Sequence, residues 1–208
     1  MEQIDRLPYF NKVTLGTALG KSGQNLDYWV KTRLKSGEII ALKKGLFVSK
    51  MYVVRIEESS KNFEKYIQFM ANKLRYPSYI SLEYMLSLYG VIPEGVYVVT
   101  SITSKSSRLF TNTLGNFRYQ NIKKELFTGF NESDYKGNSV WLASKAKALF
   151  DTIYLRSFGN SSLKYELTEG LRLNLDEFSK DDITEFKKYV DITGSIKMKK
   201  AVKILKWQ

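Results

Sequence analysis

The chain has 208 residues, 43% hydrophobic and 26% charged, so it can bury a real core and is too apolar for wholesale disorder. Its 33 Lys+Arg against 21 Asp+Glu give a net charge of +12, which draws polyanions. With 0 cysteines and 0 histidines it excludes disulfides, thiolate zinc sites and any Cys or His nucleophile–base pair.

The charge is uneven. Residues 1–55 hold 10 basic and 4 acidic residues, net +6, and residues 56–208 hold 23 and 17, also net +6. The first part is therefore the more densely positive, and nucleic acid is the leading expected partner ahead of an anionic membrane. The first residues, MEQIDRLPYF, are too polar for a signal peptide. No run approaches the roughly 18 apolar residues of a membrane span. A cytoplasmic protein with no membrane partner is expected.

In chain order, Ile4, Leu7 and Phe10 fall at i, i+3 and i+6 and predict a short helix over 4–10. Thr14 suits the cap of a second helix over 15–19. Residues 20–23 then turn into a third, over 24–35. That third helix gathers Leu26, Trp29, Val30 and Leu34 on one side. Gln24, Asn25, Tyr28, Lys31, Thr32 and Lys35 lie on the other. Arg33 sits within the apolar stripe, its stem expected along the core and its head at the edge. Ser36-Gly37 stops the helix. Two β-type runs follow, 38–42 and 46–49, joined by the basic turn Lys43-Lys44-Gly45.

Helix, glycine stop, strand, basic turn and strand describe the second half of a winged helix-turn-helix. The polar side of its third helix would reach phosphates and base edges in duplex DNA, with Lys43 and Lys44 on the backbone or minor groove. A polar helix face more often meets only water. The wing, the basic turn and the preceding helix together favour DNA.

Residues 51–56 read as a β-rich run, and the polar stretch 57–60 marks a boundary. The expected division is a DNA-binding domain over 1–55 and a second domain over 56–208, the latter comprising an α/β core (61–158) and a helical basic tail (159–208). Phe63, Tyr66, Ile67, Met70 and Leu74 predict a helix over 62–74 that Pro77 interrupts, and a further helix over 80–89 is closed by Gly90. Strands are expected over 96–103, 108–112 and 116–122, with 114–116 as a hairpin turn and the first strand central, since it is apolar on both faces. A short strand over 126–130, a buried strand over 139–143 and a helix from Ser144 to about Arg156 follow. Helices over 163–173, 180–190 and 195–206 complete the chain. In the last, Met198, Ala201, Val202 and Leu205 share one face and Lys199, Lys200, Lys203 and Lys206 the other. That lysine face is by default solvated, and it is also suited to RNA, DNA or an acidic partner. The fold class is α+β (mixed α/β).

No phosphate-binding glycine motif is present: residues 16–20, GTALG, lack the strand context and the GK[ST] ending. Asp134, Asp151, Asp176, Glu177, Asp181 and Asp182 are the carboxylates to weigh for Mg²⁺ chemistry. Asp181 and Asp182 most simply open a helix. Asp151 lies near Lys147 but has no second carboxylate on an adjacent predicted strand. Serine hydrolysis has no histidine to serve as its base. No catalytic residue, metal or cofactor is expected, and a binding protein is favoured over an enzyme.

Four stretches carry a family resemblance: GEIIALKKGLFVS (37–49), YPSYISLEYMLSLYGVIPE (76–94), VTSITSKSSRLFTNTLGNFRYQNI (99–122) and SVWLASKAKALFDTIYL (139–155). Over about residues 5–158 the chain resembles the AbiEi family of type IV toxin–antitoxin antitoxins, the second stretch being the most specific. One departure is Lys145 and Ala146, where the family usually has Pro-Glu before the lysine, so no role of that glutamate carries over. The resemblance implies that an N-terminal winged helix binds inverted repeats in its own promoter and represses the operon. It implies that the C-terminal domain counteracts a nucleotidyltransferase-like toxin, without need of a stable complex, in abortive infection against phage. Symmetric sites imply two copies of the reader on DNA. A solitary regulator, or an RNA- or toxin-binding module working through the basic tail, remain the alternatives.

Overall fold

The computed structural model describes residues 2–157 and 162–207 and has an α+β fold with two sheets. The expected 158/159 boundary inside the second domain lies outside the described residues. The expected helix over 4–10 is only a 3-10 turn, Ile4–Arg6, followed by β1 (Phe10–Asn11). Pro8 is the reason: it has no N–H to donate and biases its predecessor toward extended backbone, and Leu7 is extended at φ −84°, ψ 132°.

Helix α1 (Lys12–Leu19) starts earlier than the sequence suggests, because Asn11 and not Thr14 is its cap: the Asn11 side chain accepts from the Thr14 N–H at 2.9 Å. A turn at residues 20–22 leads into α2 (Gly23–Ser36). Gly16 makes this turn tight. A Cβ at Gly16 would stand 2.9 Å from the Lys21 carbonyl oxygen, so glycine is needed for the close approach of the two backbones. Gly37 ends α2 in the left-handed conformation, and the Gly37 and Glu38 N–H groups return to the carbonyls of Leu34 and Arg33. The hairpin β2 (Ile39–Lys43) and β3 (Leu46–Ser49) follows, and β1 adds to its far side, giving the order β1-β3-β2 with both pairings antiparallel.

Residues 51–56 are helical, not a β-run: α3 spans Lys50–Glu57. Tyr52, Val53 and Ile56 fall at i, i+1 and i+4 and are all buried, so the helix-period face decides over the β-branched composition. Helix α4 (Ser60–Leu74) ends before Pro77, as its sequence requires. The expected helix over 80–89 divides into β4 (Ser78–Ile80) and α5 (Leu82–Leu88).

The second sheet has the order β6-β7-β5-β4-β9-β8, built from β4, β5 (Val98–Thr103), β6 (Arg108–Asn112), β7 (Gly115–Asn121), β8 (Phe130–Tyr135) and β9 (Asn138–Ala143). β5 holds an inner place between β7 and β4, as its two apolar faces predict. β8 lies further along than the expected 126–130, where a 3-10 turn, Lys124–Leu126, stands instead. Helix α4 packs across β4, β5, β8 and β9. Helices α5, α6 (Lys145–Leu155), α8 (Lys180–Thr193) and α9 (Ile196–Ile204) pack on one another in the chain α5–α6–α8, with α9 against α6 and α8. The expected helix over 163–173 is shorter: α7 (Leu163–Tyr165) runs into a π-helical stretch, Glu166–Gly170.

The hydrophobic residues form two cores. A small one joins Ile4, Phe10, Leu15, Leu26, Val30, Ile39 and Phe47. The large one includes Leu42, Leu46, Val48, Tyr52, Val53 and Ile56 along with the interior of the second sheet. The hairpin is therefore shared: one of its faces closes the small core and the other belongs to the large one.

Candidate nucleic-acid interface

Helix α2 forms because its apolar residues recur at helical spacing and Gly37 provides the stop. Leu26 and Val30 are buried in the small core, and Trp29 packs partly against it. Leu34, expected in the same stripe, stands at the exposed margin. Arg33 has the structural place its position suggested. Its guanidinium lies 5.6 Å from the Trp29 ring centroid and donates to the Glu38 carboxylate at 2.5 Å, tying the end of α2 to the start of the hairpin. The hydrogen bond from Arg33, with a second from Ser36, holds the Glu38 carboxyl below the usual carboxylate range.

The opposite side of α2 carries Gln24, Asn25, Tyr28, Lys31, Thr32 and Lys35, and every one is exposed. At 100° per residue these side chains occupy an arc of roughly 120°. Tyr28 is 74% exposed, a large ring left in solvent. Neither Lys31 nor Lys35 has an ion-pair partner among the described residues. The Thr32 hydroxyl donates to the Tyr28 carbonyl at 2.9 Å, so only its oxygen is available as an acceptor. Asp27 pairs with Lys12 of α1 at 2.5 Å and bridges the two helices.

The two lysines of the hairpin turn diverge. Lys44 is exposed at the tip. Lys43 is half-buried, and its ammonium donates to the Leu74 carbonyl at 2.8 Å and the Lys73 carbonyl at 3.4 Å, clasping the C-terminal end of α4. Burial first, then the nearby Lys105 and Arg75, lower its pKa. Arg75, Lys105 and Arg108 were not singled out by the sequence. They are scattered between an α4 terminus, a loop and β6, and only the strand order brings them beside this turn.

The last helix ends at Ile204, short of the expected 206: Lys199, Lys200 and Lys203 lie on it and Lys206 in the turn after it, all four exposed, while Met198, Ala201 and Leu205 are buried on the other side. Lys197 faces inward and donates to the Tyr154 and Arg156 carbonyls at the end of α6.

The carboxylates weighed for metal chemistry are dispersed. Asp134 accepts from the Gly137 N–H, and Asp182 forms a capping box with Ser179 at the start of α8. Asp151 is fully buried. It is bonded by the Lys147 ammonium one turn before it in α6, by the Ser81 hydroxyl at 2.7 Å and by the Tyr79 hydroxyl at 3.0 Å. Burial pushes the Asp151 carboxyl above its ordinary range and the Lys147 ammonium below, each opposed by the other's charge. The Lys147 ammonium also lies 4.9 Å from the Phe150 ring centroid and 5.1 Å from that of Tyr189. This network joins β4 to α6, and its polar atoms are occupied by one another. No group of three His, Cys, Asp or Glu side chains able to hold a metal occurs among the described residues. Nor is any helix among them long and apolar enough to cross a membrane.

Lys145 donates to the Glu177 carbonyl, pairs with Asp182 at 3.5 Å and lies over the Phe178 ring, while Ala146 is buried. Lys145 thus ties the start of α6 to the start of α8. The class these features define is an α+β protein with an exposed, amide- and lysine-bearing helix beside a basic hairpin turn. No family model matches the chain, and no curated protein is significantly similar to it in sequence.

Proposed function

We propose that this chain is a DNA-binding antitoxin of the AbiEi type. Its N-terminal part acts as a winged helix-turn-helix that reads inverted repeats in its own promoter and represses the operon. The rest of the chain counteracts a nucleotidyltransferase-like toxin. The exposed face of α2 carries the first half of this reading. Recognition helices contact base edges through their N-terminal residues, and the amides Gln24 and Asn25 stand at that end. Lys31 and Lys35 follow toward the C-terminal end and suit phosphates, as does Lys44 at the hairpin tip. Inverted repeats require two copies of the protein, one per half-site.

The antitoxin half rests on the resemblance over residues 76–94, 99–122 and 139–155. The exposed lysine row of α9 and the turn after it favours a second reading, in which the C-terminal part is an RNA- or toxin-binding module. Two assays on the full chain test the proposal. In a gel shift on the DNA upstream of its own gene, Gln24→Ala with Asn25→Ala should relax sequence preference by about 1–3 kcal/mol for each good bidentate pairing with a base that they remove. In a growth assay with the neighbouring gene expressed, the wild-type chain should rescue. Substituting Lys199, Lys200, Lys203 and Lys206 by Gln should leave rescue intact unless the second reading holds. Absence of promoter binding by the wild-type chain refutes the repressor half, and absence of rescue refutes the antitoxin half.

A further inference from the structure

A cleft of about 600 Å³ opens between the β2–β3 turn, the C-terminal end of α4 and strand β6. It lies within the roughly 300–1,000 Å³ typical of small-ligand sites. Five cations line it, Lys43, Lys44, Arg75, Lys105 and Arg108, and no acidic side chain does. None of the five has an ion-pair partner among the described residues. Such a concentration of like charge is unfavourable unless an anion relieves it.

Two of the cations are held in place. Lys43 is clasped to the end of α4 through the Lys73 and Leu74 carbonyls. Arg75 donates through Nη2 to the Ser106 carbonyl at 2.5 Å and the Ser106 hydroxyl at 2.9 Å, while its Nε is buried with no hydrogen-bond partner among the described residues. A buried donor left unmatched is a costly group. Mutual repulsion is already felt here, since Lys105 and Arg75 add to burial in lowering the Lys43 pKa. The wall is also partly flat and apolar. Tyr76 is 70% exposed, Leu109 is 58% exposed, and Arg108 lies 5.5 Å from the Phe110 ring centroid.

Five positive charges, two of them held in place, beside an open aromatic face match a molecule with both phosphates and a planar base. We propose that this cleft binds a nucleoside phosphate, free or as a residue of a single strand, with its phosphates on Arg75, Lys105 and Arg108 and its base on Tyr76. The proposal does not depend on duplex binding by α2, and the two can fail separately.

Fluorescence titration of the full-length protein tests it, with ATP, a short oligo-dT strand, inorganic pyrophosphate and duplex DNA as probes. Binding of ATP or of the single strand is expected, and which of them binds tells the free from the strand form. Lys105→Gln with Arg108→Gln should weaken it roughly tenfold or more, through removal of charge-assisted hydrogen bonds. Tyr76→Ala should weaken it about fivefold or more and should leave pyrophosphate binding unchanged. All three substituted side chains are exposed, so these variants should fold, and circular dichroism checks that they do. Lys31→Ala with Lys35→Ala should bind these probes as the wild type does. The proposal is overturned if neither ATP nor the single strand binds at about 1 mM. It is equally overturned if the cleft variants bind unchanged, or if only duplex DNA binds.

Discussion

Phe47 and Val48 are neighbours in β3, yet they belong to different hydrophobic cores: Phe47 closes the small N-terminal core and Val48 lies in the large one. Alternation along the strand imposes this, and both residues are buried. Polar links add to the join. The Tyr66 hydroxyl of α4 donates to the Pro8 carbonyl at 2.8 Å, and the Asn112 amide of β6 donates to the Leu42 carbonyl at 2.9 Å. The proposed DNA-reading part and the rest should therefore unfold together. In Trp141→Phe with Trp207→Phe, Trp29 is the only remaining tryptophan of the 3, and its fluorescence reports the N-terminal part. Its urea transition should coincide with that of the far-ultraviolet circular dichroism. Two separated transitions would show that β3 does not couple the parts.

The Lys147–Asp151 pair should be costly to break from one side. Lys147→Met leaves a carboxylate without its cation in a site closed to solvent and should destabilise the protein by about 3–5 kcal/mol. Lys147→Met combined with Asp151→Leu should recover a large part of that loss, because no charge is then buried. Urea denaturation of the three variants and the wild type checks the order. A double variant as unstable as the single one would contradict it.

Gly16→Ala tests the tight turn between α1 and α2. Alanine is usually the better helix former by about 1 kcal/mol, but here its Cβ would meet the Lys21 carbonyl oxygen at 2.9 Å. The obstacle is backbone, so the turn must move, and a net loss of about 1–2 kcal/mol is expected. A stabilised variant, read from its denaturation midpoint, would mean that the turn yields freely.

Ser179 and Asp182 should show a pH-dependent contribution. Burial alone would raise the Asp182 carboxyl, but the bonds from the Ser179 N–H and hydroxyl and the charge of Lys145 outweigh it and set the folded pKa below the ordinary 3.8. A depressed folded pKa contributes stability above the unfolded value, and that contribution is lost as pH falls through the folded one. Ser179→Ala should cost about 1 kcal/mol at neutral pH, and the difference from wild type should narrow as pH drops below 3.8. A difference that stays constant into acid would remove Asp182 from the explanation.

Much of α2 and the hairpin was legible because their determinants are local. Apolar spacing, Gly37 and the Lys43–Lys44–Gly45 turn all lie within a few residues of what they control. Some departures were local, as at Pro8 and at the Asn11 cap, and others fell where distant neighbours decide. Met51, Val53, Val54 and Ile56 look like strand residues, but burial of Tyr52, Val53 and Ile56 against the large core selects a helix. β8 carries exposed Asn131, Glu132, Ser133 and Asp134, so no hydrophobic alternation announces it, and pairing with β9 alone makes it a strand. The six α2 residues could be named from periodicity, whereas the inward turn of Lys43 and the gathering of Arg75, Lys105 and Arg108 depend on which strands become neighbours.

The salt dependence of duplex binding probes the central claim most directly. Each phosphate contact contributes about 0.9 to the slope of log K against log salt concentration. Measured by fluorescence anisotropy on the upstream DNA, the triple variant Lys31→Ala, Lys35→Ala, Lys44→Ala should bind more weakly on every duplex. Its slope should be shallower than that of the wild type by roughly 2 to 3. An unchanged slope and affinity in that variant would contradict the assignment of α2 and the hairpin tip as the surface that meets DNA.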